Sequence, residues 1–243
     1  MKKLANTLFG DFLSLIFPEF CVCCNESLLK GEAQICTQCR YDLPITDYHL
    51  HRQNILSQRF WGKLPIEYAF AYLKFTKGGK VQKILHDLKY NGNQEIGVML
   101  GKWYGQLLVD AGLAKLDADE AAKEEVFQVI LPIPLHKAKR RKRGFNQSDC
   151  FAEGLSATTA IPWHSTALVR NKATKTQTKK GRMERWQNVE NIFEVVAPEI
   201  VKGKHVLLVD DVVTTGSTLE ACAQSILQAG AVKISIATLA VAI

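Results

Sequence analysis

The sequence predicts an α/β protein built on a parallel β-sheet with helices packed on both of its faces. From residue 67 onward, short apolar runs alternate with runs of helical periodicity, which is typical of parallel sheets. Residues 206–209 are apolar without interruption, as expected for a strand buried on both faces. A chain of 243 residues accommodates one such domain and a small appendage.

Each expected element has a local justification. The strands are short runs rich in aromatic or branched apolar residues, and they are predicted at residues 68–75, 127–132, 167–170, 205–210 and 233–241. The helices have apolar residues at helical spacing, as in Val81, Ile84, Leu85 and Leu88. They are predicted at residues 80–90, about 95–109, 148–156 and 217–229. Gly230 follows the last helix, where glycine commonly terminates helices.

Three regions of the chain differ in composition. Residues 1–45 contain an apolar helical pattern and a cysteine cluster, while residues 46–66 are mixed and contain the breakers Gly62 and Pro65. The alternating elements occupy residues 67–243. We therefore expect an N-terminal helix with a cysteine module, a connector and an α/β domain.

The first residues predict an amphipathic helix rather than a targeting segment. Leu4, Leu8, Phe12 and Ile16 recur every four residues, and Asp11 interrupts the apolar stretch. No run reaches the roughly 18 apolar residues that a membrane span requires. We expect a cytoplasmic protein.

The net charge favours an anionic partner. The chain has a formal net charge of +7 and is 47% hydrophobic and 23% charged, which is typical of a globular protein. Phosphorylated small molecules, nucleic acids and anionic lipids are all anionic partners of this kind, and the net charge alone does not distinguish among them.

The segment after the strand at 205–210 has the composition of a phosphate site. It contains Thr214, Thr215, Gly216, Ser217 and Thr218. Free N–H groups at a helix N-terminus favour phosphate, and glycine allows a close approach of the backbone. Asp210 and Asp211 would repel phosphate but can accept hydrogen bonds from sugar hydroxyls. The combination predicts a ribose-phosphate site; a strand-to-helix turn capped by Ser and Thr is the alternative.

Residues 136–143 form a strongly basic run with six Lys or Arg residues in eight positions. The run follows the strand at 127–132, so we expect it at the same sheet edge as the ribose-phosphate segment. Basic residues bind nucleic-acid phosphates, and aromatic residues stack on bases. The residues predicted to bind single-stranded DNA are Lys139, Arg140, Arg141, Lys142, Arg143 and Phe145. A solvated charged turn is the alternative.

A second basic and polar segment spans residues 168–193. Long loops of this type close over substrates in many enzymes, and their cations can stabilise a departing anionic group. The residues expected to line it are Arg170, Thr174, Gln177, Arg182, Arg185 and Asn188. Trp186 could stack on a base, and a solvated linker is the alternative.

Paired cysteines predict a structural zinc site near the N-terminus. Cys21 and Cys24 form one C-x-x-C pair, and Cys36 and Cys39 form the other. Four thiolates suit tetrahedral Zn²⁺ and leave no open position for catalysis. Cys23 permits a different choice of ligands; buried free thiols and an iron–sulfur cluster are the other interpretations.

Residues 205–219 resemble the phosphoribosyl pyrophosphate (PRPP) motif of type I phosphoribosyltransferases. In that family the two acids contact the ribose 2′- and 3′-hydroxyls, the following backbone holds the 5′-phosphate, and Mg²⁺ is bound largely by the ligand and water. The resemblance implies that Asp210 and Asp211 are the catalytic acids. It implies PRPP binding by Val209, Asp210, Asp211, Thr214, Thr215, Gly216, Ser217 and Thr218. It assigns the pyrophosphate loop to Ile133, Pro134, Leu135, His136 and Lys137.

Four motifs together resemble the ComF family. They are the four-cysteine module, the RGFNQ segment at 143–147, the series Thr174, Gln177, Arg185 and Asn188, and VDDVVTTGST at 209–218. The family implies a type I phosphoribosyltransferase-like sheet with a small N-terminal zinc ribbon. Its members are associated with DNA uptake in natural transformation and act in the cytoplasm on single-stranded DNA, so DNA-uptake or recombination proteins are expected partners. No acceptor substrate is implied.

Three functions are compatible with these patterns. The protein could transfer a phosphoribosyl group from Mg²⁺–PRPP to an acceptor and release pyrophosphate. It could instead be a single-stranded DNA-binding accessory protein regulated by PRPP, or a PRPP sensor without turnover.

Overall fold

The computed structural model describes residues 18–114, 127–171 and 192–242. The helices are α1 (Thr37–Tyr41), α2 (Ile55–Gln58), α3 (Lys80–Tyr90), α4 (Gln94–Asp110), α5 (Lys137–Arg143), α6 (Gln147–Thr159) and α7 (Ser217–Gln228). The strands are β1 (Ile66–Phe75), β2 (Val129–Pro132), β3 (Leu168–Arg170), β4 (Phe193–Val195), β5 (His205–Val213) and β6 (Lys233–Ala242). Two 3₁₀ turns occupy Tyr48–Leu50 and Pro198–Ile200. The helix predicted within residues 1–17 lies outside the described residues.

Four strands form a parallel sheet in the order β1-β6-β5-β2, while β3 and β4 pair as a separate antiparallel ribbon. Alternate residues of β5 face opposite sides: Leu207 and Val209 pack in one buried cluster, and Val206 and Leu208 in the other. Helices α3, α4 and α6 cover the first side, and α7 covers the second. The predicted α/β class with helices on both faces is therefore confirmed.

The neighbours of β5 differ in length, and this difference opens one edge of the sheet. Strand β2 pairs with β5 only as far as Pro132, opposite Val209. Strand β5 was predicted to end at Asp210, but it continues to Val213 because β6 still pairs with it. Prolines at positions 132 and 134 remove N–H donors and end β2. The last residues of β5 are consequently unpaired on the β2 side.

The basic run at 136–143 was expected as a loop or charged turn, but it is largely the helix α5. Lysine and arginine are good helix formers. The Nδ1 atom of His136 accepts a hydrogen bond from the Ala138 N–H at 3.2 Å, which caps the start. Gly144 ends the helix with a φ of +82°, a conformation that favours glycine.

The segment predicted as a connector, residues 46–66, packs against the sheet. Thr46 donates its backbone N–H to the Tyr72 carbonyl at 2.9 Å, and Leu56 and Phe60 are fully buried. Asn54 caps α2 and donates to the Ala69 carbonyl at 3.0 Å. Strand β1 begins inside this segment, at Ile66. The three-part division of the chain stays a prediction, but the middle part is not a free spacer.

Small residues allow α4 and α6 to pack with their backbones in contact. A Cβ atom on Gly154 would meet the Val98 carbonyl oxygen, and one on Gly101 would meet the Phe151 carbonyl oxygen. This close packing fixes the position of α6, whose first residues lie beside the open edge of the sheet.

The cysteine module packs on the same side as α3 and α4. Cys21, Cys23 and Cys39 are buried in the larger apolar cluster. The Lys83 ammonium on α3 donates to the Cys23 carbonyl at 2.6 Å, and the Arg40 guanidinium lies 4.2 Å from the centre of the Trp103 ring. Across the three described ranges, no helix has the length and apolar content needed to cross a membrane.

Candidate functional site

A polar cavity of about 170 Å³ lies at the open edge, where β2 and β5 end. Acidic, basic and amide side chains from five parts of the fold meet there. The lining residues are Lys89, Ile133, Pro134, Leu135, Lys139, Arg143, Asn146, Gln147, Ser148, Arg170, Asp210, Asp211 and Thr218. The carboxyl end of a parallel sheet is the usual ligand position in open α/β folds.

Asp210 lines this cavity one residue beyond the last residue of β5 that pairs with β2. Its Oδ1 atom accepts hydrogen bonds from the Ser148 hydroxyl at 3.1 Å and from the Asp211 N–H at 2.8 Å. Burial, followed by the charge of Asp211, raises the pKa of Asp210 to about 7, although these hydrogen bonds and Lys89 oppose the rise. Asp210 therefore exchanges a proton near neutral pH, and its ionised form can accept hydrogen bonds from a bound hydroxyl.

Asp211 forms an ion pair that the sequence did not reveal. The Lys89 ammonium lies 2.6 Å from Asp211 Oδ2, and both side chains are mostly buried. The other carboxylate oxygen accepts the Val212 N–H at 2.7 Å. Lys89 is the penultimate residue of α3 and belongs to no motif, so only tertiary packing brings it to the acid pair.

The residues predicted to bind phosphate form a tight turn into α7. The Thr215 and Ser217 hydroxyls are 3.1 Å apart, and Gly216 has a φ of +87°. A Cβ atom at Gly216 would lie 3.1 Å from the Phe60 ring, and Arg59 donates a hydrogen bond to the Thr214 carbonyl. The supporting residues come from the segment predicted as a connector.

Val209 differs from the other residues predicted to bind PRPP. Its side chain is fully buried in the core, and its carbonyl accepts the Ile133 N–H at 2.8 Å. The side chain therefore holds the strand in place and does not face the cavity.

The predicted pyrophosphate loop divides into two parts. Ile133, Pro134 and Leu135 line the cavity. His136 and Lys137 are exposed at the start of α5, outside the lining, because the chain turns away from the sheet there.

Helix α5 presents its basic residues in two directions. Lys139 and Arg143 line the cavity, whereas Arg140, Arg141 and Lys142 are exposed outside it. Phe145, predicted as a stacking residue, is partly buried against the core, so it presents little surface to a base.

Tyr90, at the end of α3, is an exposed aromatic residue beside α5. Tyr90 is 62% exposed, and the Arg143 guanidinium lies 5.6 Å from the centre of its ring. It was not identified from the sequence, where it looked like the end of an amphipathic helix.

Arg143 also orients a buried glutamine. Its Nη1 atom donates to Gln147 Oε1 at 2.7 Å. An arginine has no acceptor, so the amide oxygen must face it. The Gln147 Nε2 atom is buried without a partner among the described residues. Gln147 lines the cavity, while this donor itself is buried behind the cavity surface.

Of the residues predicted in the second basic segment, Arg170 lies among the described residues. Arg170 ends β3, lines the cavity and lies 5.3 Å from the centre of the Phe193 ring. Thr174, Gln177, Arg182, Arg185 and Asn188 lie outside the described residues, and their assignment stays a prediction.

The four paired cysteines could hold a metal ion. The sulfur atoms of Cys21, Cys24, Cys36 and Cys39 all lie within 4.8 Å of one another. Cys21 accepts the Cys36 N–H at 3.3 Å; although burial opposes ionisation, backbone hydrogen bonds lower its pKa to about 6. Cys23 lies outside the group, and burial raises its pKa to about 12. A preorganised set of four sulfur donors suits a closed tetrahedral site.

The raised pKa of Asp210 predicts a pH-dependent stability. The folded carboxyl titrates near 7, against an ordinary value of 3.8, so the unfolded state binds fewer protons between these values. Asp210 therefore destabilises the fold progressively as pH rises from about 4 to 7. We expect Asp210→Asn to raise the free energy of unfolding by about 1–3 kcal/mol at pH 8 and to have little effect at pH 4. Denaturant unfolding at both pH values measures this.

The exposed acid Glu153 provides the control. Glu153→Gln removes a carboxyl that is exposed and lies outside the cavity, and it should not reproduce the stabilisation that Asp210→Asn gives at pH 8. A stability difference between wild type and Asp210→Asn that does not depend on pH would contradict the assigned titration.

A phosphoribosyl transferase domain model matches residues 156–242, which include β5, the turn at 214–216 and α7. In Bacillus subtilis, glutamine phosphoribosylpyrophosphate amidotransferase is similar in structure, with a TM-score of 0.39 and 23% identity over 58% of this chain and 25% of that chain.

Two curated relatives extend the similarity beyond this domain. The DNA utilization protein YhgH of Shigella flexneri is 32% identical over 235 residues, covering 91% of this chain and 96% of the relative. The competence protein ComFC of Bacillus subtilis is 38% identical over 102 residues, covering 42% of this chain and 39% of the relative. Because the first match spans nearly both proteins, the similarity is not confined to the transferase domain. The chain therefore belongs to the ComF family of phosphoribosyltransferase-like proteins.

Proposed function

We propose that this protein binds PRPP as its Mg²⁺ complex in the cavity at the open sheet edge and acts in DNA uptake or utilization. The observation that carries the proposal is the acid pair, Asp210 and Asp211, placed between the turn into α7 and a wall of cations. A ribose phosphate needs hydroxyl acceptors beside phosphate donors, and this arrangement supplies both. The names of the relatives in Shigella and Bacillus support the DNA-related role.

The side chains have separate roles in this proposal. Asp210 and Asp211 accept hydrogen bonds from the ribose 2′- and 3′-hydroxyls, and the backbone and hydroxyls of residues 214–218 hold the 5′-phosphate. Lys139, Arg143 and Arg170 face the diphosphate. Mg²⁺, when bound, neutralises part of the diphosphate charge through ligand and water oxygens, so we assign it no protein ligand.

In the proposed transfer, an acceptor atom attacks C1 of the ribose. The bond between C1 and the diphosphate oxygen breaks, and pyrophosphate leaves with the electron pair. Cations around the diphosphate stabilise this developing negative charge. The acid pair holds the ribose so that C1 faces the acceptor. The acceptor's proton passes to solvent or to a cavity base.

The test of PRPP binding is calorimetric titration of Mg²⁺–PRPP into the wild type and Asp210→Asn/Asp211→Asn. We expect the double variant to bind at least about 100-fold more weakly, because hydrogen bonds to charged groups contribute about 1.5–3 kcal/mol each. Glu153→Gln is the matched control and should bind like the wild type, since Glu153 lies outside the cavity.

Absence of PRPP binding to the folded wild type would overturn the proposal. Tight binding that the double variant retains would place the ribose elsewhere. Where binding is established, pyrophosphate release in the presence of nucleobases, amines or DNA separates a transferase from a sensor without turnover.

We also propose that the cysteine group binds one structural Zn²⁺ ion. The bound metal would hold the two C-x-x-C turns together and stabilise a module that is too small for a core of its own. We expect one zinc per chain in the wild type and in Cys23→Ser, and much less than one in Cys39→Ser, with a lower melting temperature. Elemental analysis of the purified variants measures the metal content. Equal zinc in Cys39→Ser and the wild type would exclude this ligand set.

Single-stranded DNA binding by the outer face of α5 is the second candidate function. It is favoured by the exposed ring of Tyr90 beside Arg143 and by the exposed Arg140, Arg141 and Lys142. Such a surface combines phosphate contacts with a stacking platform.

Replacing Arg140, Arg141 and Lys142 with Ala tests this surface while leaving the cavity intact. We expect weaker binding of a fluorescent oligonucleotide and a salt dependence whose slope falls by about 2, at roughly 0.7 for each lost phosphate contact. Lys202→Ala is the control, because Lys202 is exposed near the amino end of β5. An unchanged slope in the triple variant would show that these residues of α5 make no contacts with DNA phosphates.

A further inference from the structure

The ion pair between Lys89 and Asp211 lies where the proposed ribose hydroxyls must bind. The ammonium is 2.6 Å from Asp211 Oδ2, and only 22% of the lysine and 16% of the aspartate side chain are exposed. A ligand hydroxyl approaching Asp211 therefore meets an acceptor that already has a strong partner.

Only one of the two partners of Asp211 can leave. The Oδ1 atom accepts the Val212 N–H at 2.7 Å, and this backbone group is held in β5 by its pairing with β6. The Oδ2 atom is bound by Lys89, whose ammonium is carried on a flexible stem of four carbons. Each carboxylate oxygen has two lone pairs, but only 16% of the Asp211 side chain is exposed, so a hydroxyl reaches Oδ2 most directly by replacing the ammonium.

A displaced ammonium in this cavity needs a new anion. Three other cations, Lys139, Arg143 and Arg170, line the same cavity, and its two carboxylates are Asp210 and Asp211. Burying a further unpaired charge among cations is costly. A ligand with an anion at C1 of the ribose removes this cost, whereas a ligand whose only anion is the 5′-phosphate, held at residues 214–218, does not.

We propose that Lys89 is an exchangeable counter-ion that couples ribose recognition to a diphosphate at C1. The ribose hydroxyls replace the ammonium at Asp211, and the ammonium moves to a diphosphate oxygen. This inference rests on the proposed binding of PRPP and adds its selectivity: ribose 5-phosphate, which has a hydroxyl at C1, must displace Lys89 without offering it a partner.

Selectivity is measured as the ratio of the dissociation constants of ribose 5-phosphate and PRPP, both with Mg²⁺, by calorimetry. We expect the wild type to favour PRPP and Lys89→Met to lower this ratio by at least about tenfold, the size of one hydrogen bond between charged groups. PRPP should bind Lys89→Met more weakly, because its diphosphate loses the ammonium. Ribose 5-phosphate should bind the variant at least as tightly as the wild type, because it no longer has to displace Lys89 from Asp211. Lys102→Met, at an exposed position of α4 outside the cavity, is the control and should keep the wild-type ratio.

A purely structural role for Lys89 gives a different result. If Lys89 only stabilises the fold, Lys89→Met would weaken the binding of both ligands by the same factor, or it would lower the melting temperature while the ratio stays constant. Either outcome overturns the inference. Should Lys89→Met fold poorly, Lys89→Gln retains a donor toward Asp211 without the charge and should also lower the ratio.

The failure of PRPP binding itself is distinguishable. A wild type that binds neither ligand overturns the proposed function and this inference together. A wild type that binds PRPP, with a ratio unchanged in both Lys89 variants, overturns only the role of Lys89.

Discussion

The unequal pairing of β5 is the constraint on which the candidate site depends. On one side β6 pairs with β5 as far as Val213, while on the other β2 ends opposite Val209. The carboxylates of Asp210 and Asp211 follow at once, on a strand held rigidly by one neighbour and left open by the other. A fully paired sheet would have covered these groups. A strand that ended at Asp210 would have left the second acid on a mobile turn.

The polar groups gathered at this edge balance one another only in part. Lys89 pairs with Asp211, and Ser148 donates to Asp210. Among the described residues, Gln147 has a buried donor without a partner, and burial beside Asp211 raises the pKa of Asp210. Leaving buried polar groups unsatisfied costs stability. Such a cost is typical of functional sites, where stability gives way to the groups that a ligand requires.

The site also depends on parts of the chain outside the transferase-like sheet. Phe60 and Arg59 support the turn at 214–216 from behind. Helix α3 contacts the cysteine module through Lys83 and the acid pair through Lys89. The two lysines lie less than two turns apart on the same helix, so α3 contacts both the cysteine module and the cavity.

The sequence by itself determined the α/β class, the strand and helix that flank residues 210–216, and the four-cysteine group, because these depend on local periodicity and on spacing within a few residues. It also placed Asp210, Asp211 and the glycine turn in one site, since they are contiguous. Tertiary structure alone decided the rest. Lys89 and Phe60 reach the site from distant parts of the chain and belong to no motif. Gln147 is part of the RGFNQ segment, but its buried position beside Arg143 exists only in the folded chain. The length of β5 was set by its pairing with β6, and the burial that gives Asp210 its raised pKa exists only after the helices have packed.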